Sequence, residues 1–229
     1  MMKWKLGLVG CVILSECAFT SCTDEAITAP VATSQQTANN TYVSPSVEQK
    51  ILDEINLLRK SPSGYADFIA EYQKSYDDKG VIHYNNEPLI QSAEGKAAVT
   101  ECINELKSTQ PLGELTSAVG LAKGAKDLVA DQSVSGGVGH TGSNGDTPST
   151  RVSRYGKWLV TLGENIHYGF SDPRRIIMSL LIDDGVKDRG HRKNLLNSSF
   201  KKIGVAFGTH PVYKYMTVTD FAGGYTDNP

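Results

Sequence analysis

The chain has 229 residues, a net charge of −2 and a hydrophobic fraction of 39%, which suits one soluble domain with an extension at one end. It has no long basic run and no interleaving of aromatic with basic residues, so nucleic acid is not an expected partner. With 8% aromatic residues and only 2 Trp, the composition also argues against a membrane bundle.

Residues 1–22 read as a targeting segment. Lys3 and Lys5 make a positive start, and residues 6–14 form an apolar stretch well short of the about 20 residues that cross a bilayer. Phe19-Thr20-Ser21-Cys22 resembles a bacterial lipobox, with Phe where an aliphatic residue is usual. Lipid on Cys22 would anchor the protein to a membrane; ordinary signal cleavage nearby is the competing reading. Thr23-Asp24-Glu25 looks like the acidic start of lipoproteins sent to the cell surface. The expected location is an outer membrane or cell surface, or else secreted or periplasmic. Cys11 and Cys17 leave with the signal, so Cys102 stands alone in the mature domain. An exported domain with one cysteine holds no internal disulfide, and Cys102 reads as a buried, inert thiol.

Residues 23–45 are rich in Thr, Ala, Ser, Gln, Asn and Pro and cannot bury enough surface to offset their ordering entropy, so they read as a disordered linker. The folded domain is expected over residues 46–229. Ser46 with Gln49 three residues on makes an N-cap, and Val47, Ile51, Ile55 and Leu58 mark one face of a helix ending near Arg59. Asn56, on that apolar face, is expected to bond a neighbouring backbone. Further helices are expected over residues 63–76, 92–106 and 121–129, with a polar connection at residues 77–87. Residues 133–155 read as a long glycine- and serine-rich loop, a length that usually marks function or mobility. Gly137-Val-Gly-His-Thr-Gly fits G-x-G-x-x-G by letter, but a helix precedes it and turn residues follow, so no dinucleotide site is read there.

Residues 158–168 are extended, and Ser171-Asp172-Pro173 opens the next helix with cap and N1 proline in order. Residues 181–196 form a loop carrying three carboxylates, two arginines and His191 between apolar ends. A solvated charged turn is the ordinary account of such a loop. Arg189 and Arg192 are expected to pair with Asp183, Asp184 or Asp188, either in solvated exchange or in a fixed bridge. Strands at residues 202–207 and 212–221, joined through Gly208-Thr-His-Pro, form an antiparallel pair. Helices first and strands later point to an α+β fold with helices covering a small, mainly antiparallel sheet.

Of five histidines, His140 and His191 sit in glycine-flanked turns, and Glu164 follows a glycine between them. Two imidazoles and a carboxylate are the inventory of an open zinc site or of an acid–base pair with its orienting group. Spacing alone leaves both open. His83 and His210 read as surface or turn histidines; His167, two residues past Asn165, is a candidate for supporting the site.

Gly139-His140-Thr-Gly, Gly163-Glu164-Asn165-Ile166 and Gly190-His191-Arg192-Lys-Asn194-Leu195, in that order, resemble the CAP superfamily, whose unit is also called the SCP domain. Glu54-Ile-Asn56-Leu-Leu-Arg59 with Pro62 and Tyr65-Ala66 resembles its first-helix motif, and residues 215–221 resemble its last strand. The resemblance covers about residues 46–225 and is closest to bacterial members without disulfides. It implies a three-layer α-β-α sandwich with a cleft lined by two histidines and two acids. His140 and His191 would be the histidines and Glu164 the first acid. The Trp that usually precedes the second acid is missing, so Asp183 or Asp184 is the candidate for that role, with Asn165 as a further ligand-binding candidate. The resemblance also implies zinc or another divalent metal on His140 and His191 in some members, and sterol, fatty acid or protein partners in others. It implies no established catalytic reaction, because function lives in the site and not in the fold. A metal- or ligand-binding surface module is the leading expectation, with a lipid, sterol or peptide as ligand. A water- or metal-dependent hydrolase and an adhesion module with a vestigial cleft are the alternatives.

Overall fold

The computed structural model describes residues 45–85 and 87–229. The targeting segment, Cys22 and nearly all of the linker lie outside the described residues.

The domain opens with α1 (Val47–Lys60), capped by Ser46, whose hydroxyl accepts the Gln49 N–H at 3.2 Å. Then follow α2 (Pro62–Gln73), a two-residue hairpin of β1 (Val81–Ile82) and β2 (Ile90–Gln91), and α3 (Lys96–Ser108). β3 (Thr116–Ser117) leads into α4 (Val119–Ser135), α5 (Pro148–Ser153), β4 (Gly156–Tyr168) and α6 (Pro173–Ile182). α7 (Gly190–Leu195), β5 (Lys202–His210) and β6 (Lys214–Asp227) complete the chain. The main sheet runs β3-β5-β6-β4; β3 lies parallel to β5 and the remaining pairs are antiparallel.

The sheet divides the domain into three layers, as the expected fold class requires. On one face α1, α2, α3 and α6 bury Ile51, Ile55, Leu58, Ile69, Val99, Leu106 and Leu180 against Ile203 and Phe221. Cys102 lies in this layer, fully buried, and burial pushes its thiol up to about 12. On the other face α4 sets Ala125 and Leu128 against Ile166, Ala206, Met216 and Val218, and Leu121 with Val152 of α5 covers Ala222. The approach of α4 to β5 is close enough to demand a glycine. A Cβ on Gly204 would lie 2.1 Å from the Ala122 nitrogen.

Several expectations are corrected. The loop expected at residues 133–155 contains α5, which starts where Thr147 accepts the Thr150 N–H at 3.2 Å and Pro148 takes the first turn. The charged loop at residues 181–196 contains α7. α3 begins at Lys96, because Ser92 is used in a turn, accepting the Gly95 N–H at 2.8 Å. α4 runs on both sides of the expected residues 121–129. The expected helix at residues 63–76 stops at Gln73, and the connection that follows holds β1.

His210 is also not a surface residue. It is buried; its Nε2 lies 2.9 Å from the Gly137 carbonyl and its Nδ1 accepts the N–H groups of Val212 and Tyr213, both at 3.2 Å. The hairpin turn thus tethers the glycine-rich segment before His140. Asn56 acts as expected, donating to and accepting from the Leu115 backbone at 3.0 and 2.8 Å. Arg59 is fully buried and donates to four carbonyls, those of Gly113, Leu195, Asn197 and Phe200, so it pins α1 to the chain after α7.

Candidate functional site

β4 positions the site because alternate residues of a strand point to opposite faces. Glu164, Ile166 and Tyr168 face the α4/α5 layer, where Ile166 and Tyr168 pack on α4. Asn165 and His167 face the α6/α7 layer, where Asn165 Nδ2 donates to the His191 carbonyl at 3.0 Å. β4 is also an edge strand, paired only with β6. Groups from both layers therefore meet around its free side.

On the α4/α5 side, His140 Nδ1 lies 2.7 Å from Glu164 Oε1. Glu164 is buried, while about half of the His140 side chain, 51%, is exposed. The second Glu164 oxygen accepts from buried Arg151, whose Nη1 also donates to the His140 and Asp146 carbonyls, both at 2.9 Å. Arg151 thus holds the histidine's backbone and the carboxylate that orients its ring. Gly139 is clamped as well. Its N–H donates to Tyr168 Oη at 2.9 Å, Tyr168 donates to Gln132, and Gln132 Nε2 donates to the Gly139 carbonyl at 2.7 Å.

On the other side, Asp183 and not Asp184 meets His191. Asp183 caps α6 in the left-handed region, φ 55°, which turns its carboxylate inward. Fully buried, it accepts the His191 N–H at 2.9 Å, the Arg192 N–H at 3.4 Å and His191 Nδ1 at 2.7 Å. Asp184 turns away, accepting from Ser92 Oγ, the Ala93 N–H and the Glu94 N–H at 2.7–2.9 Å. It holds the entry to α3 and does not line the cleft.

The arginines of this segment are structural, fixed to Glu94, Glu101 and Glu105 and not to the side chains of Asp183, Asp184 or Asp188 expected as their partners. Arg192 is fully buried and donates to the Leu181 and Ile182 carbonyls at the end of α6, and to Glu101 and Glu105 at 2.8 Å each. Arg189 bridges Glu94 and Glu101 and donates to the Asp183 and Val186 carbonyls. A cation on the last carbonyls of a helix satisfies groups that otherwise lack partners. The Arg189 hydrogen bond, with Arg192 beside it, draws the Glu101 carboxyl down to about 2.

A cavity of about 640 Å³ lies between the two pairs, lined among others by His140, Glu164, Ile166, Tyr168, His191 and Asn194. A larger one, about 730 Å³, lies beside α1, where Glu54 is taken by both Arg174 and Tyr65. The smaller cavity has the free chemistry. With each Nδ1 against a carboxylate, each ring presents Nε2, which has no protein partner among the described residues. A carboxylate on one imidazole nitrogen fixes the tautomer and aims the other nitrogen at the cavity, as in histidines that bind metal or take protons. Among the described residues no group of three or more His, Cys, Asp or Glu could hold a metal ion.

Asn165 spends its side chain positioning others: besides its bond to the His191 carbonyl, its Oδ1 accepts from Asn194 at 2.8 Å. Sequence reasoning missed Arg151, Asn194 and Asp220. Asp220 is fully buried and directly opposite Glu164 on β6, with no hydrogen-bond partner for either oxygen. Burial, with the Glu164 charge second, pushes its carboxyl well above the usual range. Its signal was parity: Met216, Val218 and Ala222 are apolar, so a carboxylate at residue 220 stands on a core-facing row. His167 is buried, stacked on Phe170 at 5.0 Å, and neither ring nitrogen has a partner. Burial first, then the charges of Arg175 and His191, lowers it to about 3.

Residues 100–221 match the cysteine-rich secretory protein family (CAP). The uncharacterized protein YkwD of Bacillus subtilis (strain 168) is 28% identical over 109 residues, which make up 48% of this chain and 40% of that protein. The chain thus spans about two fifths of the length of this curated relative. Among solved structures, an outer surface protein from Borrelia burgdorferi is 22% identical, covering 48% of this chain and 78% of that one at a TM-score of 0.42. An extracellular protein containing a SCP domain from Bacillus anthracis str. Ames is 26% identical, covering 48% of this chain and 34% of that one at a TM-score of 0.40.

Proposed function

The chain belongs to the cysteine-rich secretory protein family, and on that premise we propose an exported binding module whose cleft holds a metal ion or a polar ligand group between His140 and His191. The observation that carries this reading is the matched pair of imidazoles, each held at Nδ1 by a carboxylate 2.7 Å away and each lining the same cavity. Neither carboxylate needs to bind the ligand itself, because both are already used to aim a ring.

Zinc or another divalent ion fits this donor set in part. His140 and His191 would supply two nitrogens, and the orienting carboxylates are the outer partners that metal-bound imidazoles usually have. With no third protein ligand among the described residues, such an ion keeps positions open for water or an incoming ligand oxygen. When bound, it would supply Lewis acidity at those positions. The ligand would be small, a lipid, a sterol or a peptide. Export and attachment through Cys22 rest on the sequence features of residues 1–22, and the module would then work at a cell surface.

Equilibrium zinc binding by the full chain and by a His140→Ala/His191→Ala double variant tests the reading. Loss of binding in the double variant is expected; equal affinity in both rejects the metal role. A hydrolytic reading is favoured by one feature, an Nε2 lone pair backed by buried Glu164, which suits a base acting on water. Turnover of peptide, ester or glycan substrates that is lost in Glu164→Gln and His191→Ala would establish it, and turnover surviving both changes would reject it.

A further inference from the structure

The floor of the cleft is a strand edge. The Gly169 N–H donates to the Tyr215 carbonyl at 2.9 Å, and register runs without a shift from Leu162↔Ala222 to Tyr168↔Met216. In an antiparallel ladder, residues alternate between turning their backbone groups toward the partner strand and away from it. Gly169 faces β6, so His167 and Asn165 face it too, whereas Glu164, Ile166 and Tyr168 turn their N–H and C=O groups outward. The Glu164 carbonyl agrees, accepting from Asn194 Nδ2 of α7 at 3.3 Å, on the side away from β6. The outward groups of Ile166 and Tyr168 have no protein partner among the described residues.

Unpaired backbone groups beneath the surface are uncommon in folded proteins, and open edges are usually blunted by proline, lysine, bulges or short strands. This sheet blunts its other edge by shortness, since β3 has two residues. It also bulges the first half of β4 between Leu159 and Leu162, where Val160 adopts φ 72°. Between Gly163 and Tyr168 none of these devices is present. That stretch lies in the cavity with His140 on one wall and His191 on the other.

We propose that the ligand of this cleft is an extended peptide that pairs with the edge of β4 at Ile166 and Tyr168. Resting on the cleft reading above, this names its substrate class. A row of donors and acceptors repeating every second residue is matched by the same row on another extended chain, the pairing used wherever a peptide adds a strand to an open sheet. Its side chains would alternate between the wall carrying Val138 and His140 and the wall carrying Leu180, Val186 and His191. Either histidine Nε2 could then accept a donor from, or share a metal with, the bound chain.

The test uses the full wild-type chain and a blocked hexapeptide of alternating Thr and Val, with a control of the same sequence N-methylated at every amide. Amide hydrogen exchange and 1H–15N spectra are read with and without each peptide. The proposal expects slower exchange and shifted signals at Ile166 and Tyr168 with the unmethylated peptide. The control should bind at least about fivefold more weakly, the factor that losing one ordinary backbone bond produces. Equal binding of both peptides overturns the proposal, as does binding without protection at these two amides. Zinc affinity is measured on the same preparation. Histidine-dependent zinc binding without amide protection overturns the peptide inference and leaves the cleft reading standing. Amide protection without such zinc binding supports the peptide inference and rejects the metal role alone.

Discussion

Replacing Asp183 by Asn should move a proton on His191 and loosen the end of α6. The carboxylate is fully buried and takes three donors: the His191 N–H at 2.9 Å, the Arg192 N–H at 3.4 Å and His191 Nδ1 at 2.7 Å. An asparagine keeps one acceptor oxygen and gains an NH2 group. The two backbone donors cannot reverse their polarity, so they hold the oxygen. The NH2 then faces Nδ1, and the imidazole is the group that must yield, by carrying its proton on Nε2. Hydrogen bonds to a charged group contribute about 1.5–3 kcal/mol each, and the variant weakens two and converts one, so a loss of about 2–4 kcal/mol is expected. Urea unfolding gives the energy. Imidazole 15N shifts, taken at roughly pH 8 where a free histidine is neutral, give the tautomer. A destabilisation under about 0.5 kcal/mol, the range of ordinary surface changes, would refute the argument. So would a His191 that keeps its proton on Nδ1.

Three other outcomes follow from buried polar groups. His167 is lowered to about 3 by burial, below its ordinary 6.5, so the unfolded chain binds the extra proton in between. Its contribution is complete above pH 6.5 and is lost at about 1.4 kcal/mol per pH unit as pH falls toward 3. Urea midpoints across that window should therefore fall less steeply in His167→Phe than in the wild type, and parallel curves would contradict the assignment. Asp220→Asn should stabilise the protein at neutral pH, because burying this carboxylate opposite Glu164 is unfavourable once it ionises. The gain should vanish in acid, where Asp220 is protonated in both states; thermal melts at several pH values decide this. Arg59→Met should cost at least about 2 kcal/mol in urea unfolding, since the buried bonds to the Leu195 and Phe200 carbonyls lose their donor and each unpaired carbonyl costs about 1–3 kcal/mol. A cost under about 1 kcal/mol would mean that water replaces the guanidinium.

The α+β class and most elements were legible where local chemistry decides the outcome. Ser46 with Gln49 starts α1, and Asp172-Pro173 starts α6, whose cap accepts the Arg175 N–H at 2.9 Å. Thr147-Pro148 carries the same kind of signal for α5 but sits inside a glycine-rich stretch whose composition suggests a loop. α7 was hidden because it begins from Arg189 at φ 53°, a conformation that local propensity disfavours and that this residue's bonds to Glu94, Glu101 and two carbonyls hold in place. The order of three short motifs located His140, Glu164 and His191. It could not separate Asp183 from Asp184, because neighbours at a helix end diverge by a single backbone turn. Buried arginines were misread for a related reason. The partners of Arg192 on α3 lie 87–91 residues away in sequence, so nothing nearby shows that its charge is satisfied in the interior.

Two histidines from opposite layers, aimed by Glu164 and Asp183, are proposed to serve one ligand across the edge of β4. A zinc titration followed through the imidazole 15N signals tests it most directly. Nε2 of His140 and Nε2 of His191 should shift together, with one affinity and one zinc per chain, while both Nδ1 atoms keep their protons. Shifts confined to one ring, two separate affinities, or no response from either ring would contradict it.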